Sequence, residues 1–132
     1  MAANKKDQVP KSILIIDDDV EVAETCARVL KASGFRCAVV FDLTSALALF
    51  DTMRPALVLS DINLPLGDGY EIVRHVQKTA PGTPVILMTG FDAHHARERA
   101  LGTGAAAYLR KPFSNSELIS NVRELIARDG NS

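Results

Sequence analysis

Five times along this chain a short, unbroken apolar run is followed by a longer segment of helical period. The first run, SILII at 12–16, interleaves no polar residue with its apolar ones, so a strand built from it must be covered on both faces. RCAVV at 36–40, ALVLS at 56–60, VILM at 85–88 and AAYL at 106–109 repeat the pattern. Between them, 20–33 carries Val22, Ala23, Cys26, Val29 and Leu30 at helical spacing and stops at Gly34. A helix over 42–52 starts at Asp42, whose carboxylate can cap it, and ends before Pro55. Residues 70–79 turn Ile72, Val73 and Val76 to one side, and 92–101 reads as a weaker, polar helix bounded by Gly102 and Gly104. Ser114 opens the last helix through a capping box with Glu117, followed by the stripe Leu118, Ile119, Val122, Leu125 and Ile126. The stretch 61–69 (DINLPLGDG) reads as loop.

Five strand–helix pairs with right-handed crossovers predict an α/β fold. It is a doubly wound, five-stranded parallel sheet in the flavodoxin-like order 2-1-3-4-5, with helices on both faces. At 132 residues the chain holds one such domain, expected over 12–129, with 1–11 as a flexible leader and 130–132 as a frayed end. A hydrophobic share of 47% excludes a disordered chain. The charges nearly cancel, at −1, which argues against a nucleic-acid coat or a basic membrane binder. No apolar run approaches the roughly 18 residues of a membrane span, and the first residues lack a signal peptide's apolar stretch. Cys26 and Cys37 are too few for a disulfide framework and read as reduced core thiols. A cytoplasmic protein is expected.

In such sheets ligands bind beyond the carboxyl ends of the strands, near the switch in strand order. The residues that follow each strand are therefore the ones to read. Asp17, Asp18 and Asp19 follow the first strand, Asp61 the third, Thr89 and Gly90 the fourth, and Arg110, Lys111 and Pro112 the fifth. Two ionised carboxylates about 5 Å apart repel by roughly 3 kcal/mol at an effective dielectric near 20. Gathering them requires a bound proton, compensation by Lys111, or a hard cation. Oxygen-only ligands suit Mg2+, and no Cys or His pattern nearby favours zinc. A carboxylate nucleophile, a hydroxyl, a lysine and a divalent ion form a phosphoryl-transfer inventory. Each piece has a plainer reading: Asp19 as a helix cap, Thr89-Gly90 as a turn, Lys111-Pro112 as a loop. Their joint occurrence at one end of the sheet favours the chemical reading.

The motifs ILIIDDD (13–19), LVLSDINLPLGDGY (57–70), VILMTG (85–90) and YLRKPF (108–113) together resemble the receiver domain of two-component response regulators, from about Lys11 to Arg128. The resemblance implies that Asp61 is the phosphoacceptor. It makes Asp18 a direct Mg2+ ligand (with Mn2+ as a substitute), lets Asp17 act through metal-bound water, and has Asn63 lend its backbone carbonyl to the metal. Thr89 would bond a phosphoryl oxygen, and Lys111 would pair with the phosphoryl group or, before transfer, with Asp61. A cis Lys111–Pro112 peptide is implied as well. The donor would be a sensor histidine kinase or a phosphotransfer protein, and the domain would catalyse only its own phosphorylation and dephosphorylation. Thr89 and Tyr108 would form the switch. They would remodel the face of the fourth helix (92–101), the fifth strand and the last helix, where Arg97, Glu98, Arg99, Tyr108 and Arg123 are exposed candidates. That face would meet a downstream effector or output domain, or a second copy in a homodimer.

Ala56, Ser60 and Arg110 are unusual for this family at their positions, but no motif residue is lost. Phe91, two after Thr89, is expected to hinder attacking water and lengthen the phosphorylated lifetime. His94 and His95, adjacent on a polar helix, and His75 read as surface residues. Two other functions use parts of the same inventory. A phosphatase of the haloacid dehalogenase type needs Thr or Val where Glu21 stands, and a substrate-selecting cap for which there is no room. A phosphate-independent receiver-like module would be expected to lack an acid, the Thr or the Lys, and all are present. Dinucleotide binding fails because no Gly-rich turn follows the first strand.

Overall fold

A computed structural model describes residues 9–90, 99 and 102–130. In chain order the elements are β1 (Ser12–Ile16), α1 (Val20–Ala32), β2 (Arg36–Val40), α2 (Leu43–Met53), β3 (Leu57–Asp61), β4 (Asn63–Leu64), β5 (Gly67–Asp68), α3 (Gly69–Thr79), β6 (Val85–Thr89), β7 (Ala107–Arg110) and α4 (Asn115–Gly130). Five strands pair in parallel in the order β2-β1-β3-β6-β7, the doubly wound arrangement expected from the alternation. The switch in order lies between β1 and β3, and that is where a ligand crevice opens.

Successive strand residues point to opposite faces, so each continuous apolar run feeds two cores. Ile13, Ile15, Leu57, Leu59, Ile86 and Met88 pack with Cys26 and Leu30 of α1 and with Leu118 and Val122 of α4. Leu14, Ile16, Val58 and Leu87 pack on the other face with Phe50 of α2 and with Ile72, Val73 and Val76 of α3. The helices begin where carboxylates and a hydroxyl satisfy their first amides. Asp19 takes the N–H of Glu21 and Val22, Asp42 that of Ser45 at 2.7 Å, Asp68 that of Glu71, and the Ser114 hydroxyl that of Glu117. Arg54 ends α2 in the left-handed region at φ +50, just ahead of Pro55.

The segment 61–69 is more ordered than a loop. Asp61 is the last residue of β3, and Asn63–Leu64 pairs antiparallel with Gly67–Asp68 around a turn in which Leu66 takes φ +72. The Pro65 carbonyl accepts the Leu43 amide at 3.3 Å and ties this hairpin to the start of α2. Gly69 closes against the strand end. A Cβ there would stand 2.5 Å from the Asp61 carbonyl and 3.1 Å from the Ile62 Cα, both main-chain atoms that cannot yield. Gly69→Ala is therefore expected to cost about 2 kcal/mol in urea denaturation, the scale of overpacking a filled site.

The Lys11 carbonyl accepts the Arg36 amide at 2.9 Å, and the backbone of α4 continues through Gly130. His75 is not a plain surface residue. It stands edge-on to Phe50 and its Nε2 lies 2.7 Å from Asp51 Oδ1, joining α3 to α2. Most of the expected helix at 92–101, with Phe91, His94, His95, Arg97 and Glu98, lies outside the described residues; Arg99 is helical. Among the described residues no helix is long and apolar enough to cross a membrane.

Candidate functional site

The turn from β1 to α1 divides three consecutive acids among three tasks. Asp19 faces the helix and caps it. Asp17 continues the sheet, its amide donating to the Val40 carbonyl, and turns its side chain inward to 0% exposure. Asp18 is left exposed on the rim. From β3, Asp61 brings its carboxylate to the same rim, and its Oδ1 accepts the Asn63 amide at 3.3 Å. Thr89 ends β6 and is buried. Lys111 follows β7; its amide donates to the Thr89 carbonyl at 2.8 Å, and its peptide bond to Pro112 is cis.

These pieces converge. Lys111 Nζ lies 2.6 Å from Asp17 Oδ2 and 3.2 Å from Asp61 Oδ2, with 19% of the lysine side chain exposed. One carboxylate oxygen from each of Asp17, Asp18 and Asp61 lies within 4.8 Å of the others. Burial pushes the Asp61 carboxyl above its ordinary value, and the charge of Asp17 adds to this. Lys111 and the Asn63 amide oppose the rise without cancelling it. For Lys111, burial works against the charge, but hydrogen bonds and attraction from Asp17 and Asp61 outweigh it, so the amine is held above the usual lysine value. It is an ammonium throughout the physiological range. A single ammonium against three acids leaves the cluster electron-rich. Three hard oxygens at this spacing, with a spare negative charge, fit a divalent cation such as Mg2+.

The sequence reading brought Asp17, Asp18, Asp61, Thr89 and Lys111 to one edge, and they lie there. It paired the resting lysine with Asp61, whereas the shorter contact is to Asp17. It gave no task to Ser60, which is buried and donates its hydroxyl to the Asp61 carbonyl at 2.9 Å. Tyr108 is half-buried and packs against the core on the α2–α3 face. On the same side the Arg99 guanidinium stands 4.4 Å over the ring of Tyr70. Arg123 is exposed, its guanidinium 3.5 Å from the Ser33 carbonyl.

The profile of the family described as the response regulator receiver domain matches residues 13–123. The chain belongs to this receiver family. Response regulator MprA of Mycobacterium sp. (strain KMS) is 35% identical over 120 residues, covering 91% of this chain and 52% of the relative. The receiver thus spans about half the length of the curated relatives it matches. Among solved structures, the receiver domain of Francisella response regulator 1452 is 31% identical with a TM-score of 0.83, covering 89% of this chain and 98% of that one. A CheY-like receiver domain protein from Methanospirillum hungatei gives 28% identity and a TM-score of 0.87, with 92% and 98% covered. As a receiver, the chain is a signalling domain of two-component systems.

Proposed function

We propose that this receiver accepts a phosphoryl group on Asp61 from the phosphohistidine of a sensor histidine kinase or phosphotransfer protein. The observation that carries the reading is the shared lysine: Lys111 Nζ bridges Asp17 and Asp61 within a cluster of three acids sized for a cation. An Asp61 oxygen attacks phosphorus in line. The new O–P bond forms as the N–P bond to the histidine breaks, and the imidazole leaves with the bonding pair. Lys111 is already held by Asp17, so it can turn from the Asp61 oxygen to a phosphoryl oxygen without giving up its other partner. The Thr89 hydroxyl donates to a second phosphoryl oxygen. Asp18 and Asp61, the Asn63 carbonyl and, through water, Asp17 would hold Mg2+ or Mn2+, which when bound supplies positive charge to the equatorial oxygens. Water later hydrolyses the acyl phosphate, so the signal is reversible, and no other substrate is turned over.

The output follows from packing. Thr89 moves toward the phosphoryl group, Tyr108 turns inward behind it, and the face of β7 and α4 changes its surface. That face controls a downstream effector or output domain and is the surface for a homodimer. An apolar groove of about 570 Å³ between α1 and α4, lined by Val22, Cys26, Val29, Phe113 and Leu118, opens beside Lys111 and supports access by a protein donor. A cytoplasmic setting belongs to this reading, in keeping with two unpaired thiols, one of them, Cys26, pushed up to about 11 by burial.

Intact mass after incubation with phosphoramidate tests the proposal. One phosphoryl adduct is expected with Mg2+ and none when the metal is removed by a chelator. A chain left unlabelled by small donors and by a panel of phosphorylated kinases is instead a phosphate-independent interaction module.

A further inference from the structure

Four polar or charged residues are buried among the described residues: Asp17, Ser60, Asp61 and Thr89. Three of them take part in the chemistry above, and Ser60 does not. Its place is an odd one for a hydroxyl. In the sheet register Ser60 lies between Ile16 of β1 and Leu87 of β6, both fully buried, on the face covered by α2 and α3. An apolar side chain of similar size would suit those neighbours as well, and a buried hydroxyl is costly unless it finds a partner.

The partner is the carbonyl of Asp61 itself, at 2.9 Å. That carbonyl lies under Gly69, so close that even a Cβ would collide with it. The other half of the same peptide unit is fixed as well, the Ile62 amide donating to the Met88 carbonyl at 2.9 Å; in the next unit the Ile62 carbonyl accepts the Gly69 amide at 2.7 Å. Ser60 thus holds one end of the Asp61–Ile62 peptide and β6 holds the other. The orientation of this peptide decides where the Asp61 carboxylate points and where Asn63, whose amide touches that carboxylate, presents its own carbonyl.

We propose that Ser60 is a positioning residue. Its buried hydroxyl pins the Asp61–Ile62 peptide so that the Asp61 carboxylate and the Asn63 carbonyl converge on one cation. The role rests on the reading of Asp61 as phosphoacceptor. Ser60→Ala removes the hydroxyl and leaves the Asp61 carbonyl without this donor beneath Gly69. The peptide relaxes, and the carboxylate loses its aim.

The test compares the parent with Ser60→Ala, Ser60→Thr and Ser60→Cys. Two quantities are measured: Mg2+ affinity of the unphosphorylated chain by calorimetry, and the rate of labelling by phosphoramidate at saturating Mg2+ by intact mass. Ser60→Ala is expected to bind Mg2+ several-fold more weakly and to label about tenfold more slowly, the scale of a misplaced reacting group. Ser60→Thr, which keeps the hydroxyl, restores both. A Ser60→Ala chain that melts lower yet binds Mg2+ and labels like the parent overturns the proposal, because a purely structural role moves only the melting temperature. Where Ser60→Ala does not fold, Ser60→Cys, nearly isosteric with a weaker donor, must fall below the parent in both measurements, and parity overturns the role. A parent left unlabelled by phosphoramidate and by phosphorylated kinases alike defeats the acceptor reading instead, and the Mg2+ affinities then decide Ser60 alone.

Discussion

Asp61→Asn takes up no phosphoryl group under conditions that label the parent, and it melts on the order of 5 °C higher at neutral pH. The first half follows from chemistry, since an amide oxygen is a poor nucleophile toward phosphorus. The second follows from the direction of the Asp61 shift. Burial raises its pKa in the folded chain, so the folded state binds that proton more tightly than the unfolded state does. Below the ordinary carboxylate value both states carry the proton and no cost arises. As pH rises from that value through the raised folded value, the unfolded chain ionises first and the penalty on folding grows. Above it the penalty is constant. Asparagine, neutral throughout, escapes it and leaves Lys111 on Asp17. Thermal melts across pH should show the two proteins converging in acid and separating toward neutrality. Added Mg2+, by offsetting the charge, should raise the parent's melting temperature more than the variant's. A variant less stable than the parent at neutral pH would count against the electrostatic account.

Lys111→Met should act in the opposite direction. Asp17 has no exposed surface and its nearest cation is Lys111, at 2.6 Å. Removing one member of a buried pair strands the other, which costs about 3 kcal/mol. The raised pKa of Lys111 means that its contribution is fully present below the ordinary lysine value and fades only as pH climbs through the higher folded value. The whole loss is therefore expected at neutral pH in urea denaturation. It should shrink in acid, where Asp61 takes up its proton, and shrink again with Mg2+. The variant should also bind Mg2+ more tightly than the parent, because a fixed cation no longer competes for the acids. Stability unchanged by the substitution, or a loss that Mg2+ does not reverse, would count against this electrostatic account.

The order of the sheet could be read from the chain because its evidence is spread over many residues. Each run such as SILII or VILM admits one burial pattern, and the turn residues after each run all fall at one edge. What escaped was decided by single atoms. Nothing in PLGD announces that Leu66 will take a positive φ and close a hairpin, since a glycine stands beside it to draw the expectation. The preference of Lys111 for Asp17 over Asp61 is a difference of a few tenths of an ångström between two acids on neighbouring strands, and residue type alone cannot rank them. His75 and Asp51 meet across two helices 24 residues apart in sequence, a contact that helical periodicity on either element does not reveal. By residue type Ser60 stands out only as an uncommon neighbour of Asp61. Its reason lies in the packing of Gly69, which belongs to a different element.

Lys111 reaches Asp17 across 94 residues and Asp61 across 50. On the ribosome, where synthesis runs from the N-terminus, both acids are made before their counter-charge, which follows 94 residues after Asp17 and 50 after Asp61. A nascent, clipped or half-folded chain therefore carries the Asp61 carboxylate without the cation that pairs with it. If Asp61 is the acceptor proposed above, such a chain would draw no phosphate away from a kinase, and competence to receive the message would certify that the receiver has folded.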